Sequence, residues 1–424
     1  MKSILIITLG DPSFYDEVEY IYENSHYKSK FTLPLLFENT KPEYVIIIAL
    51  DTIIDEPVGN YNELINSVNR KYRDFISKEI PNLDKLKIIV APGVGRFQSK
   101  NFIFNFIGEL RDFLIYLIYE LSKIFIESED GLTIHLDLTH GINFMPTFTL
   151  HAIKEIAGLL TVAKENVRLR VYNAEPYRRN ITSSLRIHIV EDWNAILEYD
   201  LTAIKRGRLL KLYDKKLNKE MKEPLKSTEL DGITADDINV FISSIFNGLP
   251  LSLYTFYPNV SKLEEIINKV IETWRSFVNI SMKDNELYIK RLLTFHRNFI
   301  RIIHAWFMAK LLNLERKSEV SLEEIDMLRR LFSRWSKRID AMISYDLYHI
   351  KEKIANKELK EWTKLYIALD RSPKGFDTRA FLAHSSLEMN VTEIKKINSK
   401  LIFRYIDDEE YRDRIIKACL SGLT

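Results

Sequence analysis

The segment Leu136-Asp137-Leu138-Thr139-His140-Gly141-Ile142-Asn143 decides the fold of the first half of this 424-residue chain. Its first residues end the β-rich run Leu132–Leu138, and a helical period begins directly after it, at Phe144. A buried strand, a glycine-containing turn and a helix, in that order, are typical of domains in which helices connect parallel strands. We therefore expect an α/β domain around this segment.

The same alternation extends over residues 1 to about 190. The strands it predicts are Ser3–Leu9, Tyr44–Leu50, Leu86–Val90, Leu132–Leu138, Arg168–Tyr172 and Leu185–Val190. The helices it predicts are Asn60–Ile80, Phe102–Ile126 and Phe144–Ala163. Strands separated by helices indicate a mostly parallel sheet covered on both faces, a Rossmann-like domain, with its ligand beyond the carboxyl ends of the strands.

Glycine-containing loops follow three of these strands. They contain Gly10-Asp11-Pro12-Ser13, Gly93-Val94-Gly95 and Thr139-His140-Gly141-Ile142-Asn143. Glycine lets the backbone approach a ligand closely, and free N–H groups suit phosphates and base edges. Three such loops at one sheet edge predict a nucleotide ligand. It is not a dinucleotide cofactor, because no Gly-x-Gly-x-x-Gly follows the first strand, and no Gly-Lys-Ser/Thr phosphate loop is present.

Beyond residue 190 helical periodicity replaces the strands. The helices predicted there are Asp236–Phe246, Ser261–Ile280, Glu286–Leu314, Leu322–Ser344 and Val391–Lys400. We expect an all-α half, without the closing β-hairpin of a winged helix. The lysine-rich stretch from Ala195 to Met221 is either a solvated face or a surface that guides RNA, and such runs are more often solvated.

Charge and cysteine content limit the possible functions. Lys and Arg number 61 against 59 Asp and Glu, a net charge of +2, so any contact with RNA must be local. The single cysteine, Cys419, excludes a disulfide framework and fits a reducing cytosol, and we expect a cytoplasmic protein. The long apolar stretch at 102–126 carries charged residues and predicts an amphipathic helix rather than a membrane span.

An arginine and a histidine five positions apart, Arg379 and His384, are the candidate catalytic pair. Asp377 or Thr378 can cap a helix that begins after the Pro/Gly loop 371–376, which puts Arg379 in the first turn, where N–H groups favour a phosphate. Similar spacings occur at Arg291/His296 and Arg297/His304, so the pattern alone is not decisive. No His-x-x-x-His pair or thiolate cluster indicates a metal site.

The segment at 136–143, with Gly10-Asp11 after the first strand and Phe102-Ile103-Phe104-Asn105, resembles the CARF sensor domain, the CRISPR-associated Rossmann fold. Over nearly its whole length the chain resembles the CARF-HEPN ribonucleases of the Csx family. The resemblance implies a CARF domain at 1–190, a helical linker region at 191–285 and a HEPN ribonuclease domain at 286–424. It also implies ligand contacts at Gly10, Asp11, Pro12, Ser13, Gly93, Val94, Gly95, Asn105, Thr139, His140, Gly141 and Asn143.

In that family the CARF domain binds cyclic oligoadenylate and the HEPN domain cuts single-stranded RNA, in type III CRISPR antiviral defence. Arg379 and His384 match the HEPN motif by spacing, although the residue after the arginine is often polar there and is Ala380 here. Arg297 has the polar follower Asn298 but a longer spacing to His304, so this pair stays the alternative. The rival functions are a CARF transcription regulator and an RNA-binding protein that does not cut.

The resemblance also implies a homodimer, or a higher oligomer, in which two protomers contribute their Arg-His pairs to one cleft. A ligand that spans a two-fold contact must offer the same half to each copy, which favours rings with an even number of nucleotides. Among such rings the family resemblance favours cyclic tetra-adenylate as the activator, with cyclic hexa-adenylate as the alternative. No metal and no other cofactor is expected.

Overall fold

The chain divides into two units, which we call the sheet unit and the helical unit. The computed structural model describes residues 2–81, 83, 85–199, 202–204, 207–214, 225–226, 228–230 and 232–423. The sheet unit comprises Met1–Ile196, Arg208–Glu229 and Ile267–Ile303, and the helical unit comprises Leu197–Gly207, Leu230–Ile266 and His304–Thr424. Much of the lysine-rich stretch, namely 200–201, 205–206 and 215–221, lies outside the described residues.

The strands of the sheet unit are β1 (Ser3–Thr8), β2 (Val18–Tyr22), β3 (Ser25–Ser29), β4 (Tyr44–Leu50), β5 (Leu86–Ala91), β6 (Gly95–Ser99), β7 (Phe102–Ile107), β8 (Thr133–Asp137), β9 (Arg168–Ala174), β10 (Ser184–Asn194), β11 (Leu210–Leu212), β12 (Val278–Lys283), β13 (Glu286–Arg291) and β14 (Leu293–Phe295). The helical unit contains β15 (Val320–Ser321), β16 (Thr363–Lys364), β17 (Thr392–Ile397) and β18 (Lys400–Tyr405).

The helices are α1 (Leu33–Thr40), α2 (Tyr61–Glu79), α3 (Arg111–Phe125), α4 (Phe144–Leu160), α5 (Ala235–Phe246), α6 (Pro250–Thr255), α7 (Val260–Ser276), α8 (Arg297–Leu312), α9 (Leu322–Phe332), α10 (Lys337–Ile354), α11 (Leu365–Ala368), α12 (Thr378–Ala383) and α13 (Glu409–Ser421). None of the helices formed by the described residues is long and apolar enough to cross a membrane.

Parallel strands form the centre of the main sheet, whose order is β3-β2-β10-β9-β8-β1-β4-β5. The five adjacent strands from β9 to β5 all run parallel, as the buried apolar runs predict. β10 pairs antiparallel with β9, and the hairpin β2–β3 extends that edge. On one side of β1 the sheet continues with β4 and then β5. On the other side it continues with β8 and then β9, so the strand order reverses between β1 and β8.

A second sheet, of order β12-β13-β7-β6, corrects two helix predictions. Phe102–Ile126 is not one helix, because Phe102–Ile107 is a strand and the helix begins at Arg111. Glu286–Leu314 is not one helix either, because strands β13 and β14 precede α8. The two mispredicted strands pair with each other in parallel, Ile103 opposite Glu286.

A buried ion pair links this second sheet to the main sheet. The guanidinium of Arg291, on β13, donates to a carboxylate oxygen of Asp51, which directly follows β4, and both side chains are inaccessible to solvent. Asp51 also accepts from the hydroxyl of Tyr61 at 2.9 Å. A buried charge pair requires such additional hydrogen bonds to offset its desolvation.

The prediction of an all-α second half is wrong, because strands β11 to β14 and a further sheet in the helical unit all lie beyond residue 190. An antiparallel sheet of order β15-β18-β17-β16 lies among the helices of the helical unit, and Val391–Lys400, predicted as a helix, forms most of its central hairpin. The argument that a winged helix is excluded by the lack of a closing β-hairpin therefore fails. Leu322–Ser344 is also not one helix, since α9 ends at Phe332 and α10 begins at Lys337.

The last helix, α13, is anchored through the single cysteine. Cys419 is fully buried, and its backbone carbonyl accepts from the hydroxyl of Ser243 on α5 at 2.6 Å. Burial raises the pKa of the Cys419 thiol to about 12. The thiol is therefore a small apolar packing group rather than a nucleophile.

Candidate functional site

The loops that follow β1 and β8 meet at the point where the strand order reverses. The Thr8 hydroxyl, at the end of β1, donates to the backbone carbonyl of His140. A Cβ added at Gly10 would lie 3.8 Å from the Gly141 backbone. In open parallel sheets this position is the usual ligand site, so the structure brings together two of the three predicted loops.

Gly141 is required by this contact. Its φ is +128°, and an added Cβ would lie 3.2 Å from the Thr8 hydroxyl oxygen and 3.5 Å from the Met145 side chain. An L-residue would be strained in that conformation and would push the two loops apart. The glycine therefore permits the close approach that forms the site.

His140 lies between two tyrosine side chains. Its ring is 4.7 Å from the Tyr15 ring, centroid to centroid, and its Nε2 is 3.4 Å from the Tyr20 hydroxyl. Burial lowers the pKa of His140 to about 4. At neutral pH the imidazole is uncharged and can both donate and accept a hydrogen bond, which suits a base edge better than a phosphate.

The residues after Gly10 form a short turn that is stabilised from within. The Asp11 carboxylate accepts from the backbone N–H of Ser13 at 2.9 Å and from its hydroxyl at 2.7 Å, and Pro12 is buried in the turn. Lys71 of α2 lies 3.2 Å from Asp11. Asp11 is thus partly neutralised and shapes the loop.

Thr139 and Asn143 differ in what they can offer a ligand. The Thr139 hydroxyl donates to Asp137 at 2.6 Å and accepts from the backbone N–H of Ala174 at 2.9 Å. Asn143 is exposed at the start of α4, and its side chain makes no capping hydrogen bond there. The Asn143 amide is therefore available to a ligand, whereas the Thr139 side chain is engaged.

The third predicted loop lies farther along the sheet edge, after β5. The Gly93 N–H donates to Asp51 at 2.8 Å, and its carbonyl accepts from Arg291 at 2.8 Å. An added Cβ at Gly93 would lie 2.6 Å from the Thr52 methyl group, so the loop is closely packed. Val94 and Gly95 continue from it into β6. Asn105 lies on β7 of the second sheet, where its amide donates to Glu286 at 3.0 Å.

Sequence reasoning missed the tyrosines that hold this site together. The Tyr15 hydroxyl accepts from the Gly10 N–H at 2.7 Å, and the Tyr72 hydroxyl donates to the Gly10 carbonyl at 2.7 Å. Tyr15 and Tyr20 flank His140 although some 120 residues separate them from it in sequence. No local pattern marks such partners, because only the parallel sheet brings them together.

The candidate catalytic pair lies on the short helix α12, as predicted. Asp377 is the N-cap, and its carboxylate accepts from the N–H groups of Arg379 at 2.8 Å and Ala380 at 3.4 Å. Arg379 is exposed in the first turn. Among the described residues its guanidinium has no hydrogen-bond or ion-pair partner, so it is available to a phosphate.

The loop before α12 is held in place by Asn390. The Asn390 side chain donates to the Gly375 carbonyl at 2.9 Å and accepts from the Lys374 N–H at 3.2 Å. Arg371 and Lys374 are exposed on this loop. Arg371, Lys374 and Arg379 place three exposed positive charges within nine residues of a chain whose overall charge is nearly balanced.

His384 ends α12, and the backbone after it is unusual. Ser385 and Ser386 are both buried with φ values of +48° and +70°. Side chains rarely adopt this left-handed region, and buried strained residues often occur near functional groups. The Tyr405 hydroxyl donates to the Ser386 carbonyl at 3.2 Å, which fixes the turn that carries the imidazole.

A carboxylate from another helix contacts His384. Its Nδ1 lies 3.0 Å from Oδ1 of Asp346, on α10. The hydrogen bond to Asp346 is the main cause that raises the pKa of His384, with Glu388 acting in the same direction and partial burial and Arg371 against it. The imidazole side chain remains 46 % exposed.

The alternative pair is placed differently. Arg297 is exposed at the start of α8, but His304 is only 1 % exposed, and its Nδ1 lies 3.2 Å from the Tyr199 hydroxyl. Asn298 is buried and donates to the Arg208 carbonyl at 3.3 Å. Buried groups of this kind suit packing better than contact with RNA.

Comparison with known proteins identifies the domains. The CARF domain model of the CRISPR system endoribonuclease Csx1 matches residues 4–176, and the HEPN domain model of the same endoribonuclease matches residues 336–409. The Csx1 endoribonuclease of Methanocaldococcus jannaschii is 36% identical over 412 residues, which cover 93% of this chain and 87% of the relative. The chain belongs to the Csx1 family. The predicted CARF-HEPN resemblance is thereby confirmed.

In this Csx1 family member, the meeting loops after β1 and β8 lie within the residues that the CARF domain model matches. His384, Asp346 and Arg379 lie within the residues that the HEPN domain model matches. A solved structure of Enterococcus italicus Csm6 bound to cyclic hexa-2'-fluoro-hexa-dAMP is 9% identical and covers both chains fully, but with a TM-score of 0.27 it carries no argument about this fold. Among the described residues, no three His, Cys, Asp or Glu side chains are grouped so as to hold a metal ion.

Proposed function

We propose that this Csx1 family endoribonuclease cuts single-stranded RNA without a metal ion, in the cytoplasm, when cyclic oligoadenylate binds its CARF domain. Residues 1–190 are the Rossmann-like sensor, 191–285 the connecting region and 286–424 the nuclease. The biological setting is type III CRISPR antiviral defence.

The observation that carries the proposal is the pair on α12. Arg379 is exposed in the first turn with no hydrogen-bond or ion-pair partner in the described part of the chain, and His384, at the other end of the helix, is half-exposed with a raised pKa. Both lie in the residues matched by the HEPN domain model. The buried His304 of the alternative pair has no comparable access to RNA.

The chemistry requires only these two groups and the RNA itself. The 2′-hydroxyl oxygen attacks the adjacent phosphorus while the bond to the 5′-oxygen breaks, which leaves a 2′,3′-cyclic phosphate and a 5′-hydroxyl. His384 takes the proton from the 2′-hydroxyl or delivers one to the leaving 5′-oxygen, and water makes the other of these two proton transfers. Arg379 binds the phosphate through its planar fork and stabilises the charge that grows on it.

The activator is cyclic tetra-adenylate, with cyclic hexa-adenylate as the alternative. The meeting loops after β1 and β8 offer a neutral imidazole at His140, a free amide at Asn143 and close backbone approach at Gly10 and Gly141. In a homodimer paired through the sensor domains, an even-numbered ring presents the same half to each protomer. Higher oligomers are compatible with this arrangement.

The test incubates end-labelled single-stranded RNA with the full chain in a chelator, with cyclic tetra-adenylate, cyclic hexa-adenylate or neither. We expect cleavage with one ring and products that carry 2′,3′-cyclic phosphate ends. Arg379→Ala and His384→Ala should each lower the rate by at least about a hundredfold, because each removes a group that acts in the transition state. Arg330→Ala and His151→Ala are the controls, since both side chains are exposed outside the site.

Several outcomes would contradict the proposal. Cleavage only with added divalent metal, or 3′-hydroxyl products, would exclude the 2′-hydroxyl mechanism. If a double Arg379→Ala/His384→Ala variant cleaves RNA at the wild-type rate, the assignment of the catalytic pair is wrong. Arg297 and His304 would then be tested next. Binding of duplex DNA without RNA cleavage would support a transcription regulator instead. Binding of RNA without cleavage would support an RNA-binding protein that does not cut.

A further inference from the structure

The partner of His384 comes from a different part of the chain. Asp346 lies on α10, 38 residues before the histidine, and its Oδ1 is 3.0 Å from Nδ1 of the imidazole. Asp346 is only 9 % exposed, so the carboxylate side of this contact is shielded from water, whereas the imidazole side faces solvent. Electrostatic interactions are stronger there than at the surface.

The second oxygen of the Asp346 carboxylate has a buried position that packing alone does not explain. Oδ2 is buried and has no hydrogen-bond partner among the described residues. A buried, unsatisfied carboxylate oxygen lowers stability, and such groups in folded proteins require an explanation. Among the described residues, the contact of Oδ1 with His384 is the polar contact that this carboxylate makes.

Two other acids of the helical unit, Asp340 and Glu388, are satisfied in the ordinary way. Asp340, also on α10, pairs with Arg329. The buried carboxylate of Glu388 accepts from the backbone N–H groups of Asn390 at 2.9 Å and Val391 at 3.2 Å. Asp346 differs from both, because its neighbour is an imidazole and not a backbone turn or a guanidinium.

We propose that Asp346 is a positioning residue for the reaction: it accepts a hydrogen bond from Nδ1–H of His384 and so leaves Nε2 as the nitrogen that meets the RNA. The proposal rests on the proposed function of His384. An ionised carboxylate only accepts hydrogen bonds, so Nδ1 must carry the proton in both charge states of the ring. The left-handed turn at Ser385 and Ser386 holds the backbone, and Asp346 sets the rotation of the ring.

The charges around the imidazole determine the pH dependence. Asp346 on α10 and Glu388 after α12 favour the charged ring, whereas Arg371 before α12 opposes it, and the pKa of His384 is raised. The charged imidazole therefore stabilises the folded protein. This contribution is complete at pH values below the ordinary histidine pKa, and it is lost as the pH rises through the raised pKa of the folded state. Removing the Asp346 charge should lower the pKa of His384.

The decisive variant is Asp346→Asn, assayed for RNA cleavage from pH 5 to 9 under the conditions in which the wild-type chain cleaves fastest. We expect kcat to fall at least about tenfold with little change in KM, because an amide can donate to Nδ1 and stabilise the wrong tautomer. The limb of the kcat profile that His384 sets should move to lower pH. This direction is the same whether the histidine acts as a base or as an acid.

Asp340→Asn is the matched control. It removes a carboxylate from the same helix through the same chemical change, and we expect it to leave the pH profile of cleavage in place. Asp346→Glu keeps the charge but shifts the carboxylate, so kcat should fall while the limb stays near its wild-type pH. If Asp346→Asn does not fold, as judged by thermal unfolding, Asp346→Glu decides.

Two results separate failure of this inference from failure of the proposed function. If His384→Ala is inactive while Asp346→Asn, or Asp346→Glu where the first does not fold, keeps the wild-type kcat and pH limb, the positioning role is wrong and the nuclease site stands. If His384→Ala cleaves at the wild-type rate, the proposed function itself is wrong. A loss of stability in Asp346→Asn with an unmoved pH limb would mean that Asp346 is structural, and would also overturn the inference.

Discussion

Asn143 and His140 belong to the same loop after β8, but they are unequal probes of the activator site. His140 packs against Tyr15 and Tyr20, so its removal would leave a cavity as well as a missing ligand contact. Asn143 is exposed and its side chain caps nothing. A change at Asn143 therefore reports on ligand binding with little effect on folding.

We expect Asn143→Ala to raise the concentration of cyclic oligoadenylate needed for half-maximal cleavage by roughly three- to tenfold, the effect of one lost hydrogen bond. The rate at saturating activator should change little, because the residue acts in binding and not in the reaction. Titration of activator against the initial cleavage rate measures both quantities. His151→Ala, exposed on α4, is the control, and an unchanged midpoint for Asn143→Ala would exclude this loop from the binding site.

At the residue scale, what could be predicted from the sequence depends on distance along the chain. Asp377 as N-cap and Arg379 in the first turn follow from neighbours within a few positions, and both are confirmed. Asp346 could not be found this way, because only the packing of α10 brings it to His384. The catalytic roles of Arg379 and His384 stay predictions.

At the element scale, the hairpin β17–β18 explains one failed prediction. Its strands pair from Thr392 with Tyr405 to Ile397 with Lys400, and the two turn residues Asn398 and Ser399 have φ values of +47° and +67°. Two left-handed residues between paired strands are typical of a type I′ turn, which is most readily recognised as Asn-Gly. Because Ser399 occupies the second turn position in place of glycine, the sequence pattern did not indicate a turn here.

Replacing Ser399 by glycine should therefore stabilise the helical unit, by about 0.5–1 kcal/mol, since glycine adopts the left-handed conformation without steric cost. The change in the midpoint of denaturant unfolding measures this effect. Ser344→Gly is the control, because it changes the same residue type in the interior of α10 and should destabilise. A destabilised Ser399→Gly variant would mean that the turn is held by its side chain instead.

The strands β7 and β13 were mistaken for parts of helices for a related reason. Short apolar runs fit either structure, and what decides between them is the partner strand. Residues of β7 pair with residues of β13 that are more than 180 positions away, for instance Phe104 with Leu287. The five parallel strands were easier, because their β-branched runs are buried and bounded by turns.

At the scale of the whole molecule, the ion pair of Asp51 and Arg291 shows how distant parts of the chain are joined. Arg291 also donates to the Gly93 carbonyl, so a strand from residues 286–291 supports the loop after β5. The surface pair of Arg96 with Glu286 joins β6 to β13 across the intervening strand β7, but its arginine is 63 % exposed. The two pairs connect to the same strand, β13, and differ mainly in burial.

We expect Arg291→Ala to lower the free energy of unfolding of the sheet unit by about 3–5 kcal/mol, because the Asp51 charge is left buried and unpaired. Arg96→Ala should cost less than about 1 kcal/mol. Urea unfolding followed by tryptophan fluorescence can compare them, since Trp274 lies close to Arg291. Equal losses for the two variants would show that the Asp51 pair is more solvated than its burial indicates.

The burial of Cys419 makes its thiol a reporter of local opening at α13. A thiol reagent reacts with the thiolate and not with the thiol. Because Cys419 is completely buried and its pKa is raised to about 12, the closed protein presents almost no exposed thiolate. Labelling must therefore wait until α13 detaches from α5. Because the chain has a single cysteine, the labelling rate reports how often Cys419 becomes exposed, whether α13 detaches or the whole unit unfolds. Adding RNA or activator would show whether either of them lowers that rate.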